Sequence, residues 1–251
     1  RRSYFPHNLR YRNHSSINSP IKKKIWEAIE KFFLTRVSAS YTVCDSIANF
    51  YQQKYGLKMK VVKNVPEQSE FVQEEAKDPK SIIFQGALNP GRGLDLAIDS
   101  MQYLADYKLT IVGGGQQMNN LKSLAMDLGV SDRVVFLGKI PFEELKAYTS
   151  KATVGLLLEE PIGLSFEYSL PNKLFDYIHS NVAVVATPLI EVKNVIDSFY
   201  VGELIQSRDP KQLAEQIKSI SSNHNKFDFS EAQSAFNWQS ERKKLKDVFN
   251  F

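Results

Sequence analysis

Apolar residues recur along this chain with two different periods, and the change from one to the other divides it. From Ile21 the run IKKKIWEAIEKFFL places Ile21, Ile25, Trp26, Ile29, Phe32 and Phe33 at helical spacing, with Ser19-Pro20 as cap and first turn. A β-rich stretch is predicted over 40–43, then a helix opened by Asp45 or Ser46 and stopped at Gly56, then a strand over 58–65 closed by Pro66. The segment PEQSEFVQEEAKDPK is acidic and aperiodic, and reads as a linker. Beyond it, apolar runs of four to eight residues alternate with helical segments, the pattern of a parallel sheet covered by helices on both faces. Strands are predicted over 81–86, 108–113, 133–138, 153–159, 183–187 and 202–206. Helices are predicted over 93–104, 116–128, 142–150, 170–180, 191–197 and 210–220. After the gap SSNHNKFDF, the tail again has helical spacing in its apolar residues Phe236, Leu245, Val248 and Phe249, and reads as a terminal helix packing away from the main sheet. The fold class is therefore α/β, a Rossmann-like doubly wound parallel sheet with a partial N-terminal α/β segment.

Composition narrows the chemistry. The 251 residues, 43% hydrophobic and 24% charged, suffice for one large domain or two unequal ones. A formal charge of +4 is mild; it suits phosphate-bearing ligands or an anionic surface and does not call for nucleic acid. Cys44 is the single cysteine, which excludes an intrachain disulfide and Cys-rich metal spacing. No apolar run approaches the roughly 18 residues of a membrane span, and the basic start RRSYFPHNLRYRNH leads into no signal-like apolar core. The expectation is a cytoplasmic protein, at most peripheral on a membrane. Lys22 to Lys24 and Arg242 to Lys246 are basic faces that suit either solvent or such contact.

In an open parallel sheet, ligands bind beyond the carboxyl ends of strands, where loops lead into helix N-termini. Four loops qualify. GALNPGRGLDL, after the first main strand, combines glycines that let backbone approach a ligand with Arg92, whose donor fork suits a diphosphate; it reads equally as an ordinary strand-to-helix turn. IVGGGQQ lacks the last glycine of a dinucleotide fingerprint and has no acidic residue in the ribose-reading position, so a dehydrogenase is disfavoured. FLGKIP offers Lys139 and Ile140. In FEYSLPNKLFDYI, Ser169 is the expected N-cap with Pro171 in the first turn, and Asn172, Lys173 and Asp176 share a face. That end reads either as a capped core helix with a Lys173–Asp176 pair or as a site for phosphate and a vicinal diol.

Taken together, FQGALNPGRGLDLAI, LTIVGGG, RVVFLGKIPFEEL, YSLPNKLFDYI, VAVVATP and VGELIQSRDPKQLAEQI resemble the donor-binding C-terminal domain of retaining glycosyltransferases with the GT-B fold. The resemblance extends over about Ile25 to Phe249. It implies a remnant of an N-terminal, acceptor-side Rossmann-like domain over 1–66, a linker over 67–80, a nucleotide-sugar-binding domain over 81–223, and a terminal helix over 224–251 that crosses back to the N-terminal part. It implies transfer of a hexose-type sugar from a nucleoside-diphosphate sugar to a glycan or lipid-linked acceptor, as in bacterial polysaccharide synthesis, without cofactor or metal. Gly86, Asn89, Gly91 and Arg92 would approach the diphosphate, and Lys139 and Ile140 the base. Tyr168, Ser169, Leu170, Asn172 and Lys173 would meet diphosphate and sugar, and Asp176 the ribose hydroxyls. Arg92 and Lys173 would stabilise the leaving group.

The sequence departs from the family pattern at Ala87, where a first phosphate arginine is usual, and at Tyr168, where the first glutamate of E-x7-E is expected, with Glu160 and Glu167 as nearby substitutes. The family's glycine-rich first loop is absent, His7 and His14 read as loop residues, and the chain is expected to be a piece of a longer enzyme. Two other functions fit the same fold: a nucleotide-sugar epimerase, and a non-catalytic nucleotide-sugar-binding module.

Overall fold

The computed structural model describes residues 20–34, 36–67 and 76–249. His7, His14, the basic start and most of the expected linker lie outside them. In chain order the elements are α1 (Pro20–Leu34), β1 (Tyr41–Thr42), α2 (Asp45–Tyr55), β2 (Lys60–Val61), β3 (Ser81–Gln85), α3 (Leu94–Ser100), β4 (Lys108–Val112), α4 (Met118–Asp127), β5 (Val134–Gly138), α5 (Phe142–Lys151), β6 (Val154–Leu157), α6 (Leu164–Glu167), α7 (Asn172–His179), β7 (Ala183–Ala186), α8 (Ile190–Phe199), β8 (Gly202–Leu204), α9 (Pro210–Ser222), α10 (Ser230–Ala235) and α11 (Trp238–Phe249). Among the described residues no helix is long and apolar enough to cross a membrane.

All six main strands pair in parallel, in the order β5-β4-β3-β6-β7-β8. The strand order reverses between β3 and β6, so the crevice beyond their carboxyl ends is the topological switch point where such sheets take ligands. Ile82 pairs with Val154 and Ile83 with Gly155 across this point. Gly155 has a packing reason: a Cβ there would lie 2.6 Å from the Tyr177 ring of α7, which is wholly buried. β6 and β7 are buried at every position, which is why they read as unbroken apolar runs.

Two expectations change. The strand predicted over 58–65 pairs only at Lys60–Val61, against β1; beyond it Val62 and Val65 turn into the core as loop. The tail is two helices, broken at Phe236-Asn237. The break lets Phe236 pack 5.0 Å from both the Phe175 and Phe199 rings, while Asn237 Oδ1 caps α11 by accepting from Ser240 N. α11 then runs to the N-terminal elements: Trp238 N donates to Pro66 O, and buried Glu241 accepts from Lys63 N at 2.8 Å.

α1 forms as the spacing predicts, over Pro20–Leu34. Its polar side meets α2, through Glu30 with the Tyr51 hydroxyl at 2.9 Å and Glu27 with Lys54 at 3.2 Å. Ile21, Ile25, Trp26, Phe32 and Phe33 stand more than half exposed, while Leu34 is buried. An amphipathic helix normally turns that stripe inward.

Candidate functional site

At the switch point lies a cavity of about 660 Å³, walled by the end of β3 and its loop (Gln85, Gly86, Arg92), by the start of α7 (Asn172, Lys173, Asp176), by α5 and by the 64–66 segment. α7 supplies three of its polar lining residues. Leu174, Phe175, Tyr177 and Ile178 bury one side of this helix in the core, which leaves Asn172 and Asp176 toward the crevice. Its first amides have no intrahelical acceptor.

Ser169 does not cap that helix. Its hydroxyl donates to Phe166 O at 2.7 Å and closes the turn after the short α6. Leu170 is buried, Pro171 is extended at the N-cap position rather than inside the first turn, and the helix starts at Asn172 without a side-chain cap.

The expected Lys173–Asp176 pair does not form. Lys173 instead places Nζ 2.8 Å from Glu159 Oε1 and 4.0 Å from the centre of the Phe84 ring. Arg92 NH1 approaches the same Glu159 oxygen at 3.4 Å. The two cations expected to serve a diphosphate are thus gathered on one carboxylate, so the cluster carries one net positive charge. Glu159, just past β6, is the acidic residue here, in place of the suggested Glu160 and Glu167. Glu160 pairs with Arg208 at 3.4 Å. In the run TVGLLLEE nothing in the spacing tells which glutamate turns inward.

Burial is the largest influence on Glu159 and opposes its charge, yet Lys173 and, more weakly, Arg92 hold its carboxyl below the ordinary glutamate range. Burial pulls the Lys173 ammonium below the ordinary lysine value, against the effect of Glu159. Glu159 decides the state of the pair, because two cations converge on it: it stays ionised. Arg92 keeps a second opening, since its Nε is buried without an acceptor.

One turn along α7 from Lys173, Asp176 Oδ2 accepts from Gln85 Nε2 at 2.7 Å. Burial pushes the Asp176 carboxyl up to about 6, with the Gln85 hydrogen bond pulling the other way. Sequence reasoning singled out neither Gln85 nor Glu159; both are polar residues at the carboxyl end of an apolar strand, and that position was the available signal.

Of the residues predicted for the site, Gly86, Arg92, Ser169, Asn172, Lys173 and Asp176 line the cavity. Asn89, Gly91, Lys139, Ile140, Tyr168 and Leu170 are not brought to its wall. Gly91 passes beneath Ile162 at positive φ and accepts from Glu160 N. Lys139 lies along Gly114. The Tyr168 carbonyl accepts from Cys44 Sγ at 3.3 Å, and its ring faces Phe50 of α2. The glycines of IVGGGQQ pack against the turn after β3: Leu88 N donates to Gly114 O, and Gln117 N to Leu88 O.

The family model described as Glycosyl transferases group 1 matches residues 66–235, more than half of the chain. The chain belongs to that family. O-antigen chain mannosyltransferase RfbU of Salmonella typhimurium is 34% identical over 118 residues, covering 46% of this chain and 33% of the relative. The GDP-mannose-dependent alpha-(1-6)-phosphatidylinositol monomannoside mannosyltransferase of Mycolicibacterium smegmatis is 38% identical over 81 residues, 31% of this chain and 21% of the relative. The chain thus spans a third or less of the length of these relatives. Among solved structures, Anabaena Alr3699/HepE in complex with UDP and glucose superposes with a TM-score of 0.71 at 13% identity, covering 97% of this chain and 70% of that one. Sucrose-phosphate synthase from Thermosynechococcus elongatus gives 0.69 at 16% identity, covering 94% and 64%. The fold is that of the GT-B glycosyltransferases. Relatives that carry transferase names weigh against the epimerase and the non-catalytic module.

Proposed function

We propose that the cavity takes a nucleoside-diphosphate sugar and that the chain is the donor-binding part of a retaining glycosyltransferase, passing a hexose-type sugar to a glycan or lipid-linked acceptor. The observation that carries this reading is the buried, unpartnered Arg92 Nε beside Lys173, with Asp176 lining the same cavity. A diphosphate oxygen would supply the missing acceptor, and a ribose diol would donate to Asp176.

The chemistry asks little covalent work of the side chains. As the bond from the anomeric carbon to the diphosphate oxygen breaks, charge builds on the departing nucleoside diphosphate. Arg92, Lys173 and the first amides of α7 would meet it without reorganisation. An oxocarbenium-like sugar would then accept the incoming hydroxyl oxygen on the face the diphosphate leaves, with the hydroxyl proton passing to the departing diphosphate oxygen. Glu159 would keep Lys173 charged and aimed before the substrate arrives. These groups supply the neutralising charge, so the reading includes no cofactor and no metal. On the same reading the N-terminal elements and α11 belong to the acceptor side, residues 81–223 form the donor-binding unit, and contact with a membrane surface remains a property of the whole protein.

Relatives with GDP-mannose in their names make GDP and GDP-mannose the first ligands to test, with UDP as the comparison. Titration calorimetry should show binding of at least one nucleoside diphosphate, weakened by Arg92→Ala. Absence of binding to the whole panel would remove the assignment.

A further inference from the structure

A buried hydrogen-bond chain leads into Asp176 from behind the cavity wall. Thr149 Oγ1 lies 2.8 Å from Gln85 Oε1, and Gln85 Nε2 lies 2.7 Å from Asp176 Oδ2. Gln85 is 4% exposed and Thr149 1%. The Thr149 hydroxyl has a second acceptor in reach, Leu145 O at 2.9 Å, but only one proton to give. Leu145 O is one helical turn back within α5, where the Thr149 amide serves it. The hydroxyl proton is therefore free for Gln85.

That choice orients the amide. With the Thr149 proton on Gln85 Oε1, the Gln85 NH2 must face Asp176. The flipped amide would set Oε1 against a carboxylate oxygen, an acceptor facing an acceptor. The Gln85 backbone is held as well: its N–H lies 3.3 Å from the Tyr177 hydroxyl, the ring seated over Gly155.

We propose that Gln85 and Thr149 are positioning residues for Asp176. Gln85, itself held by Thr149, engages Oδ2, fixes the rotation of the carboxylate, and leaves Oδ1 to the cavity as the acceptor for a ligand's vicinal hydroxyls. The inference rests on the reading of Asp176 as the ribose-holding residue. It adds that discrimination between ribose and deoxyribose is set by two side chains behind Asp176, one of which, Thr149, is not part of the cavity wall.

The test is calorimetry with GDP and UDP and with their 2′,3′-dideoxy counterparts, on wild type, Gln85→Leu and Thr149→Val. Thr149→Val keeps the shape of the side chain and removes only the hydroxyl, so it folds even if Gln85→Leu does not. Wild type should prefer the ribonucleotide by about tenfold or more, the worth of a hydrogen bond to a charged group. Thr149→Val, behind the wall, should cut that ratio severalfold with the dideoxy affinity unchanged, and Gln85→Leu should cut the ratio further. Equal weakening of ribo and dideoxy ligands, or an unchanged ratio in Thr149→Val, overturns this inference and leaves the donor-site reading standing. Wild type that binds neither GDP nor UDP overturns the donor-site reading and this inference with it.

Discussion

Lys173 and Glu159 meet at 2.8 Å, on a carboxylate only 1% exposed, and the same oxygen stands 3.4 Å from Arg92. One buried anion therefore gathers both cations. Removing one partner of such a pair leaves the other charge without compensation, which typically costs about 3 kcal/mol or more. Glu159→Gln should lower unfolding free energy by about that amount in urea titrations at neutral pH. A saturating nucleoside diphosphate should recover part of the loss, because its phosphates become the missing anion for Lys173. Stability equal to wild type would mean that the pair contributes nothing.

Arg92 separates binding from stability. Its contact with Glu159 is long and Lys173 remains on that carboxylate, so Arg92→Ala should change folding stability by less than about 1 kcal/mol. Loss of a charge-assisted contact to phosphate should weaken nucleoside-diphosphate affinity by about tenfold or more in calorimetry. An unchanged affinity would exclude Arg92 from the diphosphate site.

The difference between Arg92 and Glu159 shows where sequence reading stops. Strands such as VGLL and AVVA are buried on both faces, so their runs are unbroken and the doubly wound sheet was legible from them. Arg92, Lys173 and Asp176 were legible because each follows such a strand. Glu159 was not, because its role exists only through Lys173, a contact that closes between separate loops. Ser169 read as the N-cap, yet its hydroxyl donates to Phe166 O and α7 begins with no side-chain cap. The face of α1 was also illegible: the pattern shows an apolar stripe, and only the contacts of Glu27 and Glu30 show that the polar side is the one that meets α2.

Asp176 has a pH signature of definite sign. Its carboxyl is raised from 3.8 to about 6 in the folded chain. The native state then binds its proton more tightly than the unfolded state, so the contribution of this group to stability falls as pH rises from about 4 to about 6 and is level above. Two units correspond to a ceiling of about 3 kcal/mol. Asp176→Asn should be more stable than wild type at pH 7, by about 1 to 3 kcal/mol, with the difference vanishing near pH 4. Unfolding titrations of both proteins at the two pH values would show it; a difference independent of pH would contradict a buried carboxylate at this position.

Gly113 tests whether the glycines of IVGGGQQ serve backbone packing. A Cβ at Gly113 would lie 1.8 Å from Gly86 O, the backbone there has φ of +138°, and the contact is with main chain that itself walls the cavity. Gly129 also has positive φ, +66°, but nothing stands within 4 Å of its would-be Cβ. Gly129→Ala carries only the conformational cost of a left-handed residue, about 1 kcal/mol. Gly113→Ala must also push apart the loops after β3 and β4, and should lose about 3 kcal/mol or more while weakening nucleoside-diphosphate binding through displacement of Gly86. Chemical denaturation of the two variants side by side checks the ranking. If Gly113→Ala is no worse than Gly129→Ala, close approach to Gly86 is not the reason for glycine at this position.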